Sequence, residues 1–260
     1  MMLPVLQIGP LAVQTYPLAL LLAGWAALAT GARLATRLGI EGDHIYNAGL
    51  SGLAAGLVVG RLAHLIAFWP AYRLEPLSII GLNARAFLPW PGALAGLAVS
   101  GYYVYRHRLP LATVLDAAAP GGLLGMAIAQ LGAWLAGLEP GAPAGLPWAI
   151  AEWGVRRHPV QLYQVAALLA AFGVVLLVLR RQRRQRRPGR AAWSALLGYG
   201  VSLWLIEPFR ESSATLVAGL RTLQLLGLAA ILIALVALRP QPEAKKIMRA
   251  SERSSDGEPG

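Results

Sequence analysis

The chain has 260 residues, 57% of them hydrophobic and only 13% charged, with a formal charge of +11. A soluble domain is charged at about a quarter of its residues, so an ordinary water-soluble fold is excluded. The basic residues sit mainly between apolar runs, which favours membrane orientation over nucleic-acid binding. The absence of cysteine removes disulfides, thiolate metal sites and cysteine nucleophiles. The amino terminus has no basic n-region, so no cleaved signal peptide is expected.

Seven apolar runs follow in order: 15–37, 46–69, 90–106, 111–138, 160–180, 192–208 and 220–238. Each is long enough to cross a hydrocarbon layer of ~30 Å as a helix rising about 1.5 Å per residue. None alternates polar and apolar residues as a barrel strand does. The expected fold class is all-α, a polytopic membrane helical bundle of about seven transmembrane helices spanning 1–239. The polar stretch 240–260 is expected to be a disordered tail.

Charge sets the orientation. Arg33 and Arg37 close the first run, Arg106 and Arg108 the third. Arg180, Arg181, Arg183, Arg184, Arg186, Arg187 and Arg190 follow the fifth; Arg239, Lys245 and Lys246 follow the seventh. Every second connection is basic, which predicts an outside N-terminus and a cytoplasmic C-terminus. The other connections (70–89, 139–159, 209–219) face outward.

Polar groups in lipid are expensive and turn towards the protein interior or a cavity. The densest such group is Arg156-Arg157-His158-Pro159-Val160-Gln161-Leu162-Tyr163; Tyr16, Arg61, Asp116, Glu207 and Arg210 stand apart in sequence. Together they predict a polar chamber inside the bundle. Each residue has two readings. His158, before a proline suited to a first helical turn, is a structural histidine or a general base. Arg61 pairs with Asp116 or Glu207, or holds a phosphate. Arg210 is an interfacial anchor or a headgroup clamp. Gln161 and Tyr163 brace the start of a helix. Tyr16 belongs to an aromatic belt or reaches the chamber. Asp116, near the start of the fourth run, is a brace or a catalytic group. His64 and His107 lack companions at ligand spacing, and neither metal nor cofactor is expected.

The segment Leu146-Pro147-Trp148 with Arg157-His158-Pro159-Val160-Gln161-Leu162-Tyr163 resembles the prolipoprotein diacylglyceryl transferase family. Ile8-Gly9-Pro10 with Tyr16, Gly60-Arg61-Leu62, Asp116 with Pro120, Ile206-Glu207-Pro208-Phe209-Arg210-Glu211 and Gln224 follow the family in order. The resemblance implies seven helices in a bacterial plasma (inner) membrane with the N-terminus outside. It implies transfer of a diacylglyceryl group from phosphatidylglycerol to the lipobox cysteine of a preprolipoprotein. Carried over by position, His158, Glu207 and Tyr16 are the implied catalytic residues, and Arg61, Arg210, Gln161, Tyr163 and Arg157 the implied substrate-binding residues. The implied partners are phosphatidylglycerol, the lipobox peptide and membrane lipids, with no nucleic acid.

The sequence also departs from the family pattern. Pro91 stands at a family His; Gln130, Ala133, Ala136 and Leu138 replace Arg, Asn, Asn and Glu; Leu203 replaces an Arg and Gln164 a Glu. The implied reaction alkylates a thiol and expels glycerol phosphate. It needs a proton acceptor for the thiol and cationic donors for the leaving phosphate. The departures leave a second reading, a catalytically inactive relative that binds phospholipid or lipoprotein precursor. A transporter is the third; inverted repeats or broken helices would mark one, and neither is clear.

Overall fold

In lipid a backbone has no water to bond to, so the apolar runs must satisfy their own amides, as helices do. The computed structural model describes residues 3–9, 11–79, 86–152, 154–185, 187–211, 215–217 and 220–239. The order is hairpin β1 (Val5–Ile8) and β2 (Leu11–Gln14), α1 (Thr15–Arg37), α2 (Gly42–Ala67), the short α3 (Trp69–Leu74), a 3-10 turn (Pro76–Ile79), α4 (Pro89–Arg106) and α5 (Leu111–Leu135). Then come hairpin β3 (Ile150–Glu152) and β4 (Val155–Arg157), α6 (Val160–Gln185), α7 (Arg190–Ile206), a 3-10 turn (Glu207–Phe209), hairpin β5 (Thr215–Val217) and β6 (Leu220–Arg221), and α8 (Thr222–Leu238). Each expected apolar run thus becomes one helix. Four of them, α1, α2, α5 and α6, are long and apolar enough to cross a membrane; α8 is apolar but shorter. The 240–260 tail expected from sequence lies outside the described residues.

Two boundaries move for local reasons. The second run ends at Ala67 because Phe68 leaves helical geometry, and α3 opens with Pro70 in its first turn, where a proline is tolerated. The fourth run ends at Leu135 because Gly137 and Glu139 take positive φ, 68° and 55°. The three hairpins were not expected from hydropathy. They precede α1, α6 and α8, and each feeds the chain into a helix at the same end of the bundle.

Helices in lipid associate by close backbone approach at small residues, and that is how this bundle closes. α2 lies antiparallel to α4 with Gly52, Gly56 and Gly60 against Gly96, Gly92 and the Leu88 carbonyl. A Cβ on Gly56 would stand 2.9 Å from the Gly92 oxygen, and one on Gly92 would stand 2.7 Å from the Gly56 oxygen. α1 runs along α5 and α7 along α8, with Gly200 and Gly227 facing each other in the latter pair. The apolar core joins α1, α5, α6 and α7 through Ala35, Ala117, Leu168, Val175 and Ala191.

The bracing role expected of Asp116 has a clear basis. Its side chain, 2% exposed, reaches from α5 to the start of α7. It accepts the N–H of Gly189 at 2.7 Å and of Ala192 at 2.8 Å. A carboxylate there satisfies orphan amides and meets the positive end of the helix dipole.

Candidate functional site

The end of α5, the start of α6, the end of α7 and the start of α8 meet at one face of the bundle. The stretch after α5 holds them together. Ala142 N–H donates to the Phe209 carbonyl at 2.8 Å, and Ala144 N–H to the Arg156 carbonyl at 2.8 Å. His158 N–H donates to the Ala142 carbonyl at 3.0 Å. This stretch is therefore a shared strand between β4 and the segment after α7, with bridges Gly141–Arg210 and Pro143–Arg157.

That backbone frame sets the side chains. Glu207, only 1% exposed, accepts from Arg210 Nε at 3.2 Å. Arg210 Nη1 also donates to Glu139, so this guanidinium bridges two carboxylates. Arg221, at the head of α8, donates to the Glu207 carbonyl at 2.6 Å and to the Arg210 carbonyl. Arg157 pairs with Glu211 and donates to the Gly141 carbonyl at 3.0 Å. Arg157, Arg210 and Arg221 thus meet Glu139, Glu207 and Glu211 in one cluster, in which the buried Glu207–Arg210 pair is the least screened by water.

An aromatic wall flanks these charges. The His158 ring lies 4.8 Å from that of Phe209 and 6.1 Å from that of Tyr163. Tyr163 Oη faces His158 Nδ1 at 3.4 Å and accepts from Trp148 Nε1 at 2.8 Å. Gln161, 1% exposed, donates from Nε2 to the Leu138 and Glu139 carbonyls, so it ties the first turn of α6 to the end of α5. Gln164 donates to Ser202 Oγ at 2.8 Å and ties α6 to α7. Tyr16, at the head of α1, is half-buried and lies within electrostatic reach of Glu139. Tyr199 stands in the same relation to Arg210 and Glu207.

Of the residues singled out from sequence, the structure brings together Arg157, His158, Gln161, Tyr163, Glu207 and Arg210, with Tyr16 at the margin. Arg61 is placed elsewhere. Its guanidinium donates to the carbonyls of Ala86 at 3.1 Å, Ser78 at 3.1 Å and Ile79 at 2.8 Å, between the rings of Tyr72 and Phe87. It lines a cavity of about 640 Å³ with His64, Phe68, Tyr72, Leu74 and Glu75, and that lining includes no residue of the ionic cluster. Sequence reasoning missed Glu139 and Arg221. Glu139 adjoins Leu138, the position read as a lost Glu, and the positive φ at Gly137 and Glu139 that brings its exposed side chain to Arg210 has no hydropathy signal. Arg221 reads as a boundary residue of the last run. Gln224 was noted, and its role is local: its Oε1 accepts the Arg221 N–H at 3.0 Å and caps α8.

A helical bundle with four helices long and apolar enough to cross a membrane, and a cluster of paired charges at one end, is that of an integral membrane protein. The prolipoprotein diacylglyceryl transferase family matches residues 4–239, and the chain belongs to that family. Relatives named phosphatidylglycerol–prolipoprotein diacylglyceryl transferase include one from Gloeobacter violaceus, 32% identical over 90% of this chain and 90% of its own. One from Verminephrobacter eiseniae is 32% identical over 81% of each, and one from Corynebacterium efficiens is 29% identical over 88% of this chain and 78% of its own.

Proposed function

We propose that the chain moves a diacylglyceryl group from phosphatidylglycerol to the lipobox cysteine of a preprolipoprotein, with the ionic cluster as its reaction centre. The observation that carries the proposal is the convergence of His158 with Arg157, Arg210 and Arg221 at the meeting of four helix ends. In the proposed step the thiol proton passes to His158. The thiolate attacks the glycerol carbon that bears the phosphate; a C–S bond forms, the C–O bond breaks, and glycerol phosphate leaves with the electron pair and recovers the proton. His158 Nδ1 faces Tyr163 Oη; in the tautomer in which Nδ1–H donates to that hydroxyl, Nε2 accepts the proton. Arg210 and Arg157 are assigned to the phosphate, and Glu207 holds the Arg210 fork in place. Gln161, Tyr163 and Tyr16 shape the walls. Arg61 is assigned to holding the α3 segment against α2.

An apolar groove of about 600 Å³ between α5 and α7 runs from Leu111 and Gly189 up to Tyr199, whose field partners are Arg210 and Glu207. It suits an acyl chain whose head lies at the cluster. The remaining parts of the reading are seven spans over 1–239, the N-terminus and the cluster on the outer face, the arginine-rich end and the 240–260 tail in the cytoplasm, and a bacterial inner membrane. Alternating basic connections support it.

The substitutions at Pro91, Gln130, Ala133, Ala136, Leu138 and Leu203 favour a second reading, a relative that binds lipid without turnover. Against it, Glu139 and Arg221 supply an acid and a cation at the same centre. The test is incubation of the purified protein with phosphatidylglycerol and a lipobox peptide, read as the mass gained on cysteine. The peptide gains the diacylglyceryl mass, and H158Q slows the gain by about 10²–10⁴. No gain beside an active control enzyme overturns transfer, and failure to rescue a transferase-deficient cell then establishes the inactive reading.

A further inference from the structure

α1 and α6 both begin at the ionic cluster and both lie along α5, with little packing between each other. Arg37 is 22 residues from the start of α1 and Arg180 is 20 residues from the start of α6. At about 1.5 Å per residue both stand some 30 Å from the cluster, the thickness of a hydrocarbon layer. If the cluster lies at one membrane interface, these arginines lie at the other. Between them is a cavity of about 620 Å³ lined by Leu34, Arg37, Leu38, Leu176, Leu179 and Arg180. Its floor is apolar and belongs to the core, since Leu34 and Leu179 are buried core members with Leu38 and Leu176 packed on them. Its rim is two exposed guanidinium groups. No hydrogen bond or ion pair occupies either of them among the described residues, and no acid lines the cavity.

We propose that this cavity binds one anionic phospholipid, with its phosphate on Arg37 and Arg180 and the upper part of an acyl chain between α1 and α6. The two halves of the cavity match the two halves of such a molecule. Arginine forks suit phosphate oxygens better than an ammonium does, and basic pockets between membrane helices recognise anionic headgroups. A site of this volume is in the range that holds a small organic ligand, more than a bare ion needs. The surrounding end is cationic as well, with Arg33 and Arg181 nearby in the chain and Arg106 and Arg108 closing α4, so a zwitterionic headgroup has no advantage there. The proposal requires only that the bundle spans a membrane, and it holds whether or not the cluster is catalytic.

The test is native mass spectrometry of the full chain released from detergent with added phosphatidylglycerol or phosphatidylcholine. The expected result is one phosphatidylglycerol equivalent that survives in R210Q, where the cluster is disturbed, and is weakened in R37Q/R180Q. At about 1 kcal/mol for each arginine near the surface, the weakening is roughly tenfold to thirtyfold. R37K/R180K, which keeps the charge and so the fold, loses less. R33Q/R181Q, which removes two charges at the same end but outside the cavity, weakens binding less than R37Q/R180Q does. Equal loss in R33Q/R181Q, unchanged binding in R37Q/R180Q, equal retention of phosphatidylcholine, or displacement by millimolar inorganic phosphate would each overturn the site.

Discussion

Replacing Arg210 by methionine tests whether the ionic cluster is a buried unit. The Arg210 side chain is 9% exposed and touches Glu207, 1% exposed, at 3.2 Å. Removing one partner of a buried pair takes the opposite charge from the other, and such losses run to about 3–5 kcal/mol. Glu139, by contrast, is 56% exposed, and an exposed pair is worth about 0–1 kcal/mol. R210M is therefore expected to destabilise by about 3–5 kcal/mol, and E139Q by no more than about 1 kcal/mol. Adding E207Q to R210M neutralises the buried carboxylate and returns part of the loss, because a neutral amide tolerates burial better than a charge that has lost its opposite at Arg210. Transfer to the lipobox peptide does not return with it, since the guanidinium is gone. The assay is thermal unfolding of the detergent-solubilised protein by tryptophan fluorescence, run beside the transfer assay. If R210M melts with the wild type, or if the double variant is no more stable than R210M, the pair is not the buried unit described.

Asp116 predicts a second stability effect, far from the ionic cluster. D116A leaves the Gly189 and Ala192 amides without their acceptor, at about 1–3 kcal/mol each, while D116N keeps one acceptor oxygen and loses about half as much; thermal melts rank the two. On the α2–α4 seam, G56L drives a side chain into the Gly92 carbonyl. It is expected to destabilise by about 1–3 kcal/mol without changing the rate per folded molecule, which gel filtration and the transfer assay measure together. Arg61 grips three carbonyls through its planar fork, so R61K, which keeps the charge, is expected to loosen the segment from α3 to Ile79. Hydrogen exchange or limited proteolysis of residues 69–79 reads that change directly, and protection equal to wild type would remove Arg61 from this role.

The bundle was legible because lipid permits few solutions: an apolar run of some twenty residues becomes a helix, and its ends follow from charged or proline-rich punctuation. The runs 15–37 and 90–106 became α1 and α4 almost residue for residue. The site was legible only where function is written as a contiguous string. His158, Gln161 and Tyr163 lie within six residues at the head of α6 and arrive together, and Glu207 and Arg210 do the same three residues apart. Arg61 was grouped with them on the ground that intramembrane charges seek each other, yet its donors go to carbonyls of the segment before α4. Glu139 and Arg221 escaped notice for the complementary reason. They sit at helix boundaries, where hydropathy is uninformative, and only the left-handed turn after α5 and the β6–α8 junction aim them at Arg210 and Glu207.

This contrast bears on how the proposed centre keeps its charges. A position judged by alignment counts Leu138 and Leu203 as lost charges. A position judged by space finds a carboxylate on the next residue and a guanidinium delivered from another helix. The constraint at the centre is that Arg210 and Glu207 stay buried, desolvated and neutral in sum, and several chain positions within side-chain reach can meet it. The departures from the family pattern therefore remove particular residues while leaving three cations and three anions at the junction of four helix ends. E139Q and R221Q, tested in the transfer assay against H158Q, decide whether those two residues serve the reaction or only its scaffold. If they serve it, each slows transfer by more than its effect on melting accounts for. Rates that fall only in proportion to the folded fraction would assign both to the scaffold.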